Sequence, residues 1–225
     1  MKRLATILFC ICLIPFLMGV NFPEPYKMVS RATGKVIYAI NDVDILGLQY
    51  GRSPYASCVF FEKNRCLTNA HLFMEKPKGE ITIQIWHQNK VKHYKAVIDY
   101  WDGKVDLVIL KTKKEVPIKP VKLARNCIVG EDVMYGGHGN FPFPKVRFGK
   151  LNYHPQRGFY ANDIFYGDSG SGIFNMEGEL LGIFFGIYTL KAGSQESFRG
   201  YAIPLEIIRQ FLNDEARVKG RNIIY

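Results

Sequence analysis

Apolar and polar residues alternate along this chain over short stretches, and glycine, proline or asparagine breaks the alternation every few residues. Ile81, Ile83 and Ile85 share one face of a segment whose other face carries Thr82, Gln84 and Trp86. A period of two is that of a half-buried strand. Val36 to Ile40 predicts a first strand, and the glycine-, proline- and serine-containing stretch from Gly47 to Ala56 predicts a loop. Cys58 to Phe61 and Arg65 to Thr68 predict a hairpin that turns at Lys63-Asn64. With Tyr94 to Ile98 and Leu107 to Lys111 this makes a first set of about six strands, ending near Pro117 to Pro120.

A second set follows at Asp132 to Tyr135, Val146 to Leu151, Gly172 to Asn175, Leu180 to Tyr188 and Gly200 to Ile203. Turn signals are densest at Gly136-Gly137 and at Pro142 to Pro144. Many short strands at such spacing predict antiparallel sandwiches or barrels. One helix is predicted. It begins at Pro204, a favourable first helical residue, and Leu205, Ile208, Phe211 and Leu212 then fall on one face. From Asn213 to Arg221 the residues are mostly polar or charged, which predicts a solvated tail.

The 225 residues suffice for one sizeable core or two small ones packed together. With 48% apolar and 14% aromatic residues, the chain is far from the composition of a disordered one. The net charge of +10 comes from 30 Lys and Arg against 20 Asp and Glu, scattered rather than clustered. No nucleic-acid recognition motif accompanies it, so solubility accounts for the charge and no specific nucleic-acid partner is expected.

Lys2 and Arg3 precede a largely apolar run from Leu4 to Val20, followed by Asn21, Pro23, Glu24 and Pro25. A positive start and a short apolar segment describe a secretory signal. The run is short for a membrane span and contains Pro15, yet Leu17 is bulky for a cut beside Gly19. Residues 1–20 therefore read either as a cleaved signal peptide or as an uncleaved anchor that ties the chain to a membrane. Both place the remainder in the periplasm or outside the cell. Cys10 and Cys12 lie in that run, leaving Cys58, Cys66 and Cys127. Either Cys58 and Cys66 pair, or all three are small buried hydrophobes. No Cys-x-x-Cys or His-Glu-x-x-His spacing occurs, so neither a metal nor another cofactor is expected.

Three segments carry candidate chemistry. Gly167-Asp168-Ser169-Gly170-Ser171-Gly172 sets a hydroxyl among glycines, which let the backbone turn sharply and aim several N–H groups at one point. Such amides can hold the negative oxygen that develops when a carbonyl is attacked. Leu67-Thr68-Asn69-Ala70-His71 places a histidine directly after a hydrophobic strand. Imidazole titrates near neutrality and can take the proton of a serine hydroxyl, which is otherwise a weak nucleophile. Val105-Asp106-Leu107-Val108-Ile109-Leu110 starts an apolar strand with an acid, and a carboxylate so placed needs a partner. The order His, Asp, Ser excludes an α/β-hydrolase, whose histidine follows its serine; here the last histidine is His154. A subtilisin-like order would need an aspartate before His71. Asp42 and Asp44 precede it, but without the accompanying motifs.

In these three blocks the chain resembles the bacterial trypsin-like serine proteases, and among them the protease domain of the HtrA/Deg family. Val129-Gly130-Glu131-Asp132-Val133 and Tyr201-Ala202-Ile203-Pro204 are similar to that family's entry to the second barrel and its final strand. The resemblance spans residues 26–213. It implies an all-β chymotrypsin-like fold of two six-stranded antiparallel barrels, 36–120 and 121–203, then a helix at 204–213 and a polar tail at 214–225. It implies hydrolysis of peptide bonds in proteins or peptides through an acyl-enzyme. The catalytic residues would be Ser169 as nucleophile, His71 as base and Asp106 as orienting acid, with the amides of Gly167 and Ser169 as oxyanion hole. Asp163, six residues before Ser169, stands at the offset that gives trypsin its preference for Arg and Lys; its other reading is a surface loop acid. Phe184, Phe185 and Ile187 would line and narrow that pocket.

Two departures stand out. HtrA-type proteases carry asparagine before the nucleophile, where this chain has Asp168, as trypsin's relatives do. In those relatives the acid pairs with a newly exposed N-terminal amine, but no Ile-Val-Gly-Gly start occurs here, so the sequence names no partner for Asp168. The chain also ends soon after its last helix, so no C-terminal PDZ domain is expected. The alternative function is a catalytically idle protease fold used for binding.

Overall fold

A computed structural model describes residues 24–37, 55–73, 80–88, 90–138, 144–154, 158–162, 164, 167–192, 195–223 and 225. The apolar leader, including residues 4–20, lies outside them.

Six strands close the first unit into an antiparallel barrel: β1 (Thr33–Ile37), β2 (Tyr55–Glu62), β3 (Arg65–Thr68), β4 (Ile81–His87), β5 (Lys90–Asp102) and β6 (Leu107–Thr112), in the order β1-β2-β3-β6-β5-β4. The predicted hairpin is β2–β3, with Phe60 opposite Cys66 and Val59 opposite Leu67. Ile81, Ile83 and Ile85 all point inward, where they meet Val36, Phe60, Val108 and Leu110. Closure depends on Gly34 of β1. A Cβ there would lie 2.8 Å from the Ile83 side chain and 2.9 Å from the Cys58 sulfur, so only glycine lets the strands meet. Cys58 and Cys66 are free thiols in this interior. Burial, and then a hydrogen bond with the Cys58 thiol, pushes the Cys66 thiol well above the usual range. Both act as small hydrophobes.

The second unit is one curled antiparallel sheet rather than a six-stranded barrel. It comprises β7 (Asp132–Gly137), β8 (Lys145–Lys150), β9 (Asn152–His154), β10 (Gly158–Asn162), β11 (Gly172–Phe174), β12 (Leu180–Ala192) and β13 (Gln195–Pro204). Its seven strands run in the order β8-β7-β11-β12-β13-β10-β9. The two strands missing from the sequence reading are β9 and β10, whose short polar and aromatic stretches show no alternation. Leu67, Leu107 and Ile109 of the barrel pack against Met134, Phe174 and Ile183 of the sheet, so a shared core joins the two units.

Helix α1 (Glu24–Ala32) precedes β1 and was not predicted. Helix α2 (Leu205–Val218) starts after Pro204 and buries Leu205, Ile208, Phe211 and Leu212, as predicted. It does not stop at 213. Glu215 and Ala216 are buried, so the supposed polar tail begins as helix. Glu215 faces inward because Arg65 of β3, itself 3% exposed, lies 2.9 Å away. Arg65 also bonds to Glu62 at 2.7 Å and sits 3.2 Å from Asp99, while Lys219 reaches Asp99 at 2.6 Å and Arg221 bonds to Glu215. Charges can be buried only when paired in this way.

Burial alone would raise the Glu215 carboxyl, but the hydrogen bond and charge of Arg65, joined by Arg221 and Lys219, outweigh it and hold the group below its ordinary value. Asp99 is depressed in the same manner, chiefly by Lys219 and then Arg65. A carboxyl depressed by folding stabilises above its unfolded pKa, about 4. That stability is lost as pH falls through the lower folded value. The melting temperature should therefore drop steeply below about pH 4.5. Glu215→Gln should cost about 2–3 kcal/mol at neutral pH and flatten that acid slope, as measured by thermal unfolding at several pH values.

Candidate active site

Strand β3 ends at Thr68, and a single 3-10 turn, Ala70–Phe73, then carries His71 out of the barrel wall. Asp106 stands just before β6, beside it. The backbone carbonyl of Asp106 accepts from the amide of Ala70 at 3.1 Å and from the Asn69 side chain at 3.3 Å. Its carboxylate accepts from the His71 amide at 2.7 Å through Oδ1, and contacts His71 Nδ1 at 2.8 Å through Oδ2. Since a carboxylate only accepts, Nδ1 carries the proton and Nε2 is left as the basic face of the ring. Asp106 adopts a φ of +57°, a left-handed conformation that costs a non-glycine residue roughly 1–3 kcal/mol. The four bonds just named hold it there.

Ser169 lies on the turn between β10 and β11. Gly167 and Gly170 flank it with φ of +88° and +82°. The turn is pressed hard against the barrel: a Cβ on Gly170 would fall 2.0 Å from the Ser57 carbonyl oxygen and 2.2 Å from Thr68 Oγ1. Ser57 of β2 fastens it. The Ser57 amide donates to the Ser169 carbonyl at 2.8 Å, and its hydroxyl donates to the Gly167 carbonyl at 3.1 Å. The same hydroxyl accepts from the His138 amide at 2.9 Å. Thr68, three residues before His71, donates to the Ser57 carbonyl at 2.7 Å. From the sheet side, the Gly170 amide donates to the Phe184 carbonyl at 2.8 Å. Among the described residues, the amides of Gly167 and Ser169 donate no backbone hydrogen bond, and no hydrogen bond joins the Ser169 hydroxyl to His71.

Sequence reasoning missed Ser57. The available signal was a hydroxyl within the otherwise apolar run of β2, a position that must satisfy its polar atoms somewhere. Asp168 is almost fully buried and pairs with Arg147 of β8 at 2.5 Å, a partner that the sequence did not name. Asp163 lies outside the described residues. Phe184 is 1% exposed and packs edge-on against Tyr135 in the core of the sheet. Strand alternation sets it apart from the residue that follows. Phe185, its neighbour, points outward at 39% exposure, next to a bulge at Phe184/Gly186. Ile187 is half-buried against the core of the second unit.

A profile of the trypsin-like peptidase domain matches residues 56–183, a span that holds the His71–Asp106 pair and the glycine-flanked Ser169. The chain belongs to the trypsin-like peptidase family. This peptidase-family chain is 29% identical to serine protease HTRA4 of Mus musculus and 30% identical to serine protease HTR4 of Rattus norvegicus, over 71% of its length. It is 30% identical to a probable periplasmic serine endoprotease, DegP-like, of Buchnera aphidicola, over 63% of its length. It spans about a third, 32–34%, of the length of these curated relatives. Two solved structures share the fold. One is the serine endoprotease from Yersinia pestis, with a TM-score of 0.66 at 21% identity over 89% of this chain and 70% of that one. The other is Rv3671c from M. tuberculosis H37Rv, a serine-to-alanine mutant in an inactive form, with a TM-score of 0.64 at 17% identity over 92% and 95%.

Proposed function

We propose that the chain is an exported serine endopeptidase in which Ser169 attacks the scissile carbonyl, His71 takes and returns the proton, and Asp106 orients the imidazole. The observation that carries this reading is a set of hydrogen bonds that fastens the strand leading to His71 to the turn of Ser169. Asp106 fixes the ring of His71, and Thr68, on the strand leading to His71, is bonded through Ser57 to the turn that holds Ser169. Nucleophile and base are thereby built onto one rigid seam between the barrel and the sheet.

In the first step Nε2 of His71 accepts the hydroxyl proton while Oγ of Ser169 bonds to the carbonyl carbon. The oxygen becomes an anion and lies against the free amides of Gly167 and Ser169, worth about 3–4 kcal/mol per donor. The imidazolium is balanced by Asp106 and gives its proton to the leaving amine. Water, deprotonated by His71, then releases the acyl group. These are the steps of the chymotrypsin-like triad, carried over residue by residue. The Ser169–His71 bond is absent here, and catalytic bonds of this kind tighten when substrate binds. Export rests on the Leu4 to Val20 segment and on the periplasmic description of the Buchnera relative.

The missing Ser169–His71 bond is also the one observation that favours the second reading, an idle fold that binds peptides. Digestion of a mixed peptide library, read by mass spectrometry, separates the two. The wild type should yield new termini and Ser169→Ala none. Intact peptides after incubation with well-folded wild type would favour the binding protein. In the same digest, Asp163→Ser should erase any preference for Arg or Lys; an unchanged profile would remove Asp163 from the pocket.

A further inference from the structure

We propose that Arg147 is a built-in positioning residue for the nucleophile turn, supplying from within the chain the cation that trypsin's relatives obtain from a freed N-terminal amine. The inference rests on Ser169 being the nucleophile. It names the device that keeps the turn in its working shape without proteolytic activation.

Asp168 sits between the two amides assigned to the oxyanion hole, those of Gly167 and Ser169. The Ser169 amide belongs to the peptide that leaves residue 168, so a backbone rotation at 168 moves it directly, and the Gly167 amide lies one peptide earlier. Its carboxylate is 1% exposed and lies against the sheet, where Nη2 of Arg147 meets Oδ2 at 2.5 Å. The fit around the carboxylate is tight. A Cβ on Gly137, at the end of β7, would lie 2.6 Å from Asp168 Oδ1 and 2.9 Å from Ser171 Cβ. The Asp168 carbonyl accepts from the Ser171 amide at 2.8 Å, so the carboxylate and the turn are held as one piece.

Arg147 is equally well fixed. It lies opposite Tyr135 in the β7–β8 ladder, and its guanidinium sits 5.5 Å from the centre of the Tyr135 ring. Its side chain is only 19% exposed. A rigid, always charged guanidinium stacked on an aromatic face is suited to hold a buried carboxylate. Without that cation a buried carboxylate is drawn back to water. Leaving the sheet would carry residue 168, and with it the adjoining Ser169 amide, out of place.

The test is the second-order rate at which a fluorophosphonate probe reacts with the full chain. Folding of every variant is checked by its thermal transition. Arg147→Gln should react roughly 100-fold more slowly, the loss associated with one misplaced oxyanion donor. Arg147→Lys, which keeps a cation, should recover to within about tenfold of wild type. Arg147→Gln combined with Asp168→Asn should likewise recover most of the rate, because a neutral amide at 168 needs no counter-ion. Restoration by removing the second partner is a result that general destabilisation cannot produce. It also serves if Arg147→Gln alone fails to fold. A wild-type rate in folded Arg147→Gln would overturn the proposal, as would a double variant that folds yet reacts as slowly as the single one. A folded wild type that never reacts would instead overturn the assignment of Ser169, and the role of Arg147 with it.

Discussion

Ser169→Ala is expected to lower the turnover of a cleavable peptide by about 10⁵- to 10⁶-fold, with His71→Ala falling by a similar factor and the double variant no further. The reason for non-additivity is mechanical. A hydroxyl without a base and a base without a hydroxyl are equally unable to form the acyl bond, so the second removal deletes nothing still in use. What survives is binding and the pair of amides at Gly167 and Ser169, which depend on the backbone alone. Folding should be nearly unaffected. The Ser169 side chain donates no hydrogen bond to His71, and the His71 ring is 37% exposed, so neither deletion opens the core. The turn stays fastened by the backbone of Ser169 and by the Ser57 hydroxyl. Steady-state kinetics on the most readily cleaved library peptide, with melting curves of the same preparations, would read both halves of this expectation.

Asp106→Asn is expected to lose about 10⁴-fold in turnover while remaining folded, a magnitude carried over from the same triad elsewhere in the chymotrypsin-like family. The wild-type carboxylate has two accepting oxygens, and both are in use: one takes the His71 amide and the other faces Nδ1. An amide side chain has only one. If its oxygen stays with the His71 amide, its NH₂ group faces Nδ1 and makes that nitrogen the acceptor. The ring proton then moves to Nε2, the atom that must receive the Ser169 proton. If the side chain flips, its NH₂ confronts the His71 backbone N–H and the turn is disturbed. Asparagine also tolerates the left-handed backbone at 106, so the substitution isolates the chemistry from the strain. Measurement of kcat and KM should show the loss mainly in kcat. Turnover near wild type would remove Asp106 from the triad.

The parts of this architecture that were legible in the sequence are those governed by neighbours along the chain. Alternation marked β4, and apolar runs bounded by turn residues marked the hairpin β2–β3 and the start of β6. The glycines around Ser169 marked a turn that no other residue could make. The order of three short blocks was enough to separate one catalytic fold from two others. The parts that were not legible depend on partners brought together only by folding. Ser57 and Gly167 are 110 residues apart, and nothing local to either announces the bond between them. Arg147 sits in an ordinary basic strand, and its pairing with Asp168 exists only because β8 joins β7 at the edge of the sheet. Glu215 was assigned to solvent because it is charged. It is buried because Arg65 of β3, far earlier in the chain, lies against it and needs an anion. Phe184 and Phe185 look alike in sequence and face opposite ways in the strand.

The most direct measurement is the site of covalent capture. The full chain would be treated with a fluorophosphonate and digested, and the modified peptide sequenced by mass spectrometry. The expected result is one adduct on Ser169 in the wild type, and none over the same period in His71→Ala. An adduct on any other residue, or capture of Ser169 that proceeds unchanged without the imidazole of residue 71, would contradict the idea that this hydroxyl owes its reactivity to that ring.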